Sequence, residues 1–115
     1  MNDLTKLQKL VTAFRDERDW KQFHNTKDLA ISLVLEASEV LEHFQWKSHE
    51  EMIAHTQDNK SEIADELSDV LYWVLLMAND LDIDISKSFQ DKMKHNAKKY
   101  PINKSKGNHT KYTEL

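Results

Sequence analysis

The sequence predicts an all-α protein, a helical bundle of four main helices plus a short one, and three observations carry that prediction. Its 115 residues include 1 Gly and 1 Pro, too few for the tight turns that a sandwich or barrel of this length requires. Apolar residues recur at i, i+3, i+4 and i+7 along most of the chain, the spacing of a helix face. Hydrophobic residues make up 39% and charged residues 31%, the balance of an ordinary folded domain, and the length suits one domain. Residues 1–115 therefore read as a single domain with an irregular tail from about 101.

Leu4, Leu7, Leu10, Val11 and Phe14 predict a first helix over about 3–19. The segment DWKQFHNTKD breaks that pattern and offers Asn25 and Thr26 as N-caps. Leu29, Leu33, Ala37, Val40 and Phe44 predict a second helix over about 27–46. Ser48 followed by Glu51 fits a capping box for a short third helix. Ile63, Leu67, Val70, Leu71, Val74 and Ala78 predict a long helix over about 61–81. LDIDIS connects it to a last helix over about 86–99, which stops before Pro101.

The absence of Cys excludes disulfides, Cys-ligated zinc, iron–sulfur clusters and thiol catalysis. No window approaches the roughly 18 apolar residues of a membrane span, and MNDLTKLQKL lacks a signal-peptide pattern. A soluble, cytoplasmic protein is the expectation. Charge is unevenly spread: residues 1–86 have net charge −10 and residues 87–115 net charge +6. A basic tail could bind nucleic acid, but the acidic body argues against stable binding of that kind.

The carboxylates are the informative feature. At about 100° per residue, Glu36 and Glu39 share a narrow stripe with Ser32 and His43, flanked on both sides by aliphatic residues. Glu62, Glu66, Asp69 and Trp73 form a stripe on the long helix beside its broad apolar face. Burying unpaired carboxylates costs several kcal/mol each, and neither stripe carries a cation. Four converging carboxylates thus point to a metal, and all-oxygen ligands suit Mg²⁺, with Mn²⁺ as a substitute, rather than zinc. The bland alternative is that both stripes face water. Ferritin-like Glu-x-x-His is not met, because His43 falls one position late after Glu39. A His-Glu-x-x-His zinc site fails because position 53 is Ile. His95 and His109 read as solvent-exposed.

Trp20, Phe23, His24, Trp46 and Trp73 cluster in sequence around these stripes. Such rings are commonly core, yet a planar ring beside a metal-phosphate site is what a nucleobase needs for stacking. Lys92, Asn96 and Lys99 share one face of the last helix, as a solvated face or as the charges that hold a triphosphate.

The pair Glu36/Glu39, a gap of 26 residues, and the pair Glu66/Asp69 resemble the MazG-like all-α nucleoside triphosphate pyrophosphohydrolases. RDWKQFHNTKDL, LVLEASEVLEHFQWKS, ADELSDVLYWVLLMA, KMKHNAKKYP and the terminal KYTEL are similar to the dCTP pyrophosphatase branch, over about residues 14–115. The resemblance implies a helical bundle completed by tight homodimerisation, often as a dimer of dimers. It implies hydrolysis of a nucleoside triphosphate between the α- and β-phosphates, giving a monophosphate and pyrophosphate. Glu36, Glu39, Glu66 and Asp69 would hold Mg²⁺. Lys92, Asn96, Lys99 and Tyr100 match the phosphate-side segment, Trp20 and Trp46 match base-pocket positions, and His24 matches a polar position beside that pocket. One departure stands out: the branch usually has Tyr shortly after the second motif's Asp, where this chain places Trp73 on the Asp69 stripe.

On this reading the expected activity is Mg²⁺-dependent cleavage of a deoxynucleoside triphosphate, dCTP or a related or modified one, in nucleotide-pool house-cleaning. The competing readings are a broad-specificity or non-standard NTP pyrophosphatase and a catalytically silent nucleotide-binding module. Glu39 is the expected group to orient the attacking water, Lys92 and Lys99 the groups that stabilise the leaving pyrophosphate, and Trp73 the ring against the sugar or base.

Overall fold

Most helices begin where a polar side chain takes up a free backbone N–H, at Asn25 and Ser48 as the sequence predicts. In the computed structural model, which describes residues 2–115, Asn2 accepts from Thr5 N at 2.8 Å to open α1 (Asp3–Glu17). Asn25 accepts from Asp28 N at 2.8 Å to open α2 (Thr26–Glu42). Ser48 and Glu51 form the expected capping box at the start of α3 (His49–Asp58). Only Asn59 separates α3 from α4 (Lys60–Asp80), and Asp84 caps α5 (Ile85–Lys99). A short α6 (Ile102–Ser105) follows. All the regular structure of the described residues is helical.

Three boundaries differ from expectation. α1 ends at Glu17, two residues early, because the chain turns through Asp19 at φ 54 into a 3₁₀ turn over Lys21–Phe23. α2 ends at Glu42 instead of about 46, and the turn that follows puts Trp46 at φ 68, a left-handed conformation uncommon for a bulky residue. The tail, expected to be irregular, contains α6 and a 3₁₀ turn over Tyr112–Glu114. Pro101, at φ −61, sits at the entry to α6, where its fixed φ suits a helix start.

The chain divides into two compact units, Met1–Ile83 and Asp84–Leu115. In the first, α4 is the axis: it packs most extensively on α2, then on α1 and α3. Leu29, Leu75, Leu76 and Ala78 are buried there. Gln8 donates to Leu75 O at 3.1 Å. Arg15 is 1% exposed and makes two 2.8 Å hydrogen bonds to the Asp80 carboxylate, so the end of α1 is tied to the end of α4. At the other end, His43 Nδ1 lies 2.8 Å from His55 Nε2, and Asn59 Nδ2 lies 3.0 Å from His55 Nδ1. That chain joins the end of α2 through α3 to the start of α4. The outer side of α2 leaves Ile31, Val34, Leu35 and Leu41 exposed.

In the second unit, α5 stops at Tyr100, whose N–H bonds Asn96 O at 2.9 Å. Gly107 at φ 82 reverses the chain after α6, and the 3₁₀ turn brings Tyr112 edge-on to Tyr100, with ring centroids 5.9 Å apart.

Candidate active site

Helix periodicity places Glu36 and Glu39 on one stripe of α2, and Glu66 and Asp69 on one stripe of α4. The two helices run antiparallel, so that Glu39 meets Glu66 while Glu36 meets Trp73, one turn beyond Asp69. The result is a single cluster in which each of the four carboxylates offers an oxygen within 4.8 Å of the others.

The electrostatics are those of crowded anions. Glu66 is pushed up to about 7, first by a hydrogen bond shared with Glu39, then by burial, and then by the charges of Glu39, Asp69 and Glu36. Burial comes first among the causes that raise Glu36; Glu39 and Asp69 add to it, and the Trp73 indole N–H acts in the opposite sense. One oxygen of Glu36 and one of Glu66 are buried without a hydrogen-bond partner. The ion pairs of the described residues are Arg15–Asp80, Arg18–Glu17 and Lys87–Asp91, so no cation neutralises the cluster from within. Buried polar atoms without partners are costly and call for a compensating group. An all-oxygen, multiply anionic donor set fits a hard divalent cation.

The cluster opens onto a cavity of about 640 Å³ lined by Leu10, Val11, Phe14, Trp20, Phe23, His24, Glu36, Asp69, Tyr72 and Trp73. The walls are mostly rings and aliphatic chains, with two carboxylates at one edge. Phe14 stands edge-on to Trp20 at 5.8 Å and to Tyr72 at 6.2 Å. The His24 ring meets Trp73 at 5.4 Å, and its Nδ1 is buried without a partner. Burial raises the Tyr72 phenol above its ordinary range. Such a chamber can take a flat, weakly polar group beside a metal-bound anion.

Of the residues singled out from sequence, Glu36, Glu39, Glu66 and Asp69 come together, and Trp20, His24 and Trp73 line the adjoining cavity. Trp46 does not line it: the ring is 92% exposed on the turn after α2. Lys92, Asn96, Lys99 and Tyr100 lie in the second unit, on α5 and its cap. Leu10, Val11 and Phe14 read from sequence only as the apolar period of the first helix; all three are cavity walls, and Leu10 is 69% exposed. The available signal was their neighbourhood: an apolar stripe running directly into Trp20 and Phe23. His95 and His109 are exposed, as expected.

Comparison with known proteins agrees with this geometry. The model of the MazG-like family matches residues 31–115. A rat (Rattus norvegicus) protein named dCTP pyrophosphatase 1 is 38% identical over 97% of this chain and 67% of its own length. The mouse (Mus musculus) protein of the same name is 37% identical over the same shares. A crystal structure of a pyrophosphatase from Archaeoglobus fulgidus DSM 4304 superposes with a TM-score of 0.80 at 33% identity, covering 88% of this chain and 94% of that one.

Proposed function

The chain belongs to the MazG-like family, and from that premise we propose that it hydrolyses a nucleoside triphosphate to the monophosphate and pyrophosphate. The relatives named dCTP pyrophosphatase 1 support dCTP, or a related or modified deoxynucleotide, as substrate. The observation that carries the reading is the four-carboxylate cluster at the edge of an aromatic cavity: a cation-binding group where phosphates would lie, next to a chamber that fits a nucleoside. The family match spans residues of both units.

Glu36, Glu39, Glu66 and Asp69 hold Mg²⁺, with Mn²⁺ as a substitute. When bound, the cation neutralises phosphoryl oxygens and makes the attacking water more acidic. Glu36 and Glu66 each bury an oxygen and are the anchoring ligands. Glu39 is an exposed member of the cluster and orients the water and accepts its proton. The water oxygen forms a bond to the α-phosphorus, the bond to the bridging oxygen breaks, and pyrophosphate leaves with the electron pair. Lys92 and Lys99 stabilise the departing charge, and Asn96 and Tyr100 contact the phosphates. Trp20 stacks on the base, His24 reads its polar edge, and Trp73 lies against the sugar. The nucleotide pool of the cytoplasm is the site of action, and removal of unwanted deoxynucleotides is the role.

The exposed apolar stripe of Ile31, Val34, Leu35 and Leu41 on α2 supports a homodimer, arranged as a dimer of dimers, because monomers seldom leave so continuous an apolar strip in water.

Incubation with each ordinary dNTP and NTP, with and without Mg²⁺, followed by ion-exchange analysis, tests the reading. Monophosphate plus pyrophosphate is expected only with the metal. Diphosphate plus phosphate would put the attack at the γ-phosphorus and overturn it. Trp73→Ala is expected to loosen sugar or base discrimination more than it lowers the maximal rate; an unchanged substrate ranking would remove Trp73 from that role.

A further inference from the structure

The terminal KYTEL segment has no part in the chemistry described so far, yet the fold brings it back to the end of α5. Pro101 ends the helix, α6 makes one turn, and Gly107 at φ 82 reverses the chain. The reversal is pinned by Asn108 Nδ2 donating to Lys104 O at 2.8 Å and by Thr110 N donating to Asn108 Oδ1 at 3.0 Å. Tyr112 then faces Lys99, with its ring centroid 4.6 Å from the ammonium nitrogen, and stands edge-on to Tyr100.

Lys99 differs from the other lysines of its helix in how its charge is held. Lys92, Lys94 and Lys98 are exposed, whereas Lys99 is half-buried. Lys87 also has a fixed partner, but that partner is the Asp91 carboxylate at 2.7 Å, which neutralises it. Lys99 has no carboxylate partner among the described residues. A ring face attracts an ammonium through its quadrupole without cancelling the charge. A lysine restrained this way has already lost part of the rotamer freedom that a long flexible side chain gives up on binding. Its remaining N–H donors stay available to an anion.

We propose that Tyr112 is a positioning residue, holding Lys99 ready with its positive charge intact for the pyrophosphate end of the substrate. The inference rests on the reading of Lys99 as a phosphate-side group. It gives the C-terminal segment a role in substrate recognition through Lys99, without contact of its own with the nucleotide.

The test uses the full-length chain with Mg²⁺ and inorganic pyrophosphate as probe, measuring its dissociation constant by calorimetry and its inhibition of turnover. Tyr112→Leu is expected to weaken pyrophosphate about three- to fivefold, the size of a partly exposed cation–π contact, and to raise KM more than it lowers kcat. Tyr112→Phe, which keeps the ring, should bind as the wild type does. Lys99→Met should weaken binding further, and adding Tyr112→Leu to Lys99→Met should change nothing more. In the unaltered protein, the side-chain proton resonances of Lys99 should show an upfield ring-current shift, a readout that holds even if Tyr112→Leu folds poorly. Wild-type affinity in Tyr112→Leu, additivity with Lys99→Met, or the absence of the ring-current shift would overturn the inference while leaving Lys99 in place. Unchanged pyrophosphate affinity in Lys99→Met would instead overturn the phosphate-side reading and the inference with it.

Discussion

Two stretches of α4 take charge out of water in opposite ways. Near its end, Asp80 meets the buried Arg15 through two 2.8 Å hydrogen bonds, and that partner holds its carboxyl below the usual range. Earlier on the same helix, Glu66 meets only other carboxylates and is pushed up to about 7. The first charge is satisfied within the fold; the second is left for something from outside. The first arrangement is that of a structural ion pair; the second is one that a bound cation would complete.

The largest expected effect breaks the open site. Glu66→Gln keeps the shape and removes a ligand charge, so turnover should fall by about 10³-fold, the loss of several kcal/mol of transition-state stabilisation. Without metal the variant should be no less stable than the wild type, since a repelled anion has gone. A large drop in its urea midpoint would assign Glu66 to the structural class.

Next comes the closed site. Arg15→Met leaves Asp80 without its guanidinium and should cost about 3–5 kcal/mol, measured by urea unfolding. A change below about 1 kcal/mol would mean that the pair behaves as a surface salt bridge and that the comparison fails.

The two sites should also answer pH with opposite signs. The Glu66 carboxyl would titrate near 4.5 in an unfolded chain and near 7 in the folded one. The metal-free protein therefore binds that proton more tightly when folded. Its contribution to stability is complete below about 4.5 and is lost as pH rises through about 7. Asp80 does the reverse: its contribution is present above the ordinary 3.8 and is lost as pH falls through its lower folded value. Unfolding at pH 5 and pH 8 should show wild type losing stability relative to Glu66→Gln. Metal binding displaces the same proton, so Mg²⁺ affinity should rise across that window. A pH-independent difference between the two proteins would contradict the raised Glu66.

The smallest effect concerns Trp46, exposed and at φ 68. Trp46→Gly should raise stability by about 0.5–1 kcal/mol by relieving the left-handed backbone. A simultaneous rise in KM for dCTP would give the ring a binding role; an unchanged KM would place it outside the site.

Much of this contrast was legible in the sequence, and the exceptions have physical reasons. The four carboxylates could be read because i, i+3 and i, i+4 spacing fixes a helix face locally, and two apolar helices each carried such a pair. Arg15 could not be read. It is one basic residue on an amphipathic helix, and its partner lies 65 positions away, so no local pattern distinguishes it from a solvated arginine. Tyr112 is similar: its meeting with Lys99 depends on a reversal at the one glycine of the chain. The early end of α2 was hidden because Phe44 continues the helical period, while the backbone has already turned.

The contact between His43, His55 and Asn59 has a polarity. The Asn59 amide nitrogen can only donate, and it also donates to His55 O at 3.2 Å, so His55 Nδ1 must accept. His55 Nε2 then carries the hydrogen and gives it to His43 Nδ1. Both neutral rings are thereby committed to one tautomer, and the chain runs one way, from the first residue before α4 back to the end of α2. Nitrogen-15 spectra of the two imidazoles would record that direction as a pair of matching Nε2–H signatures. A substitution at Asn59 alone would release the choice at both rings, so one amide sets the arrangement of hydrogens across two helix ends.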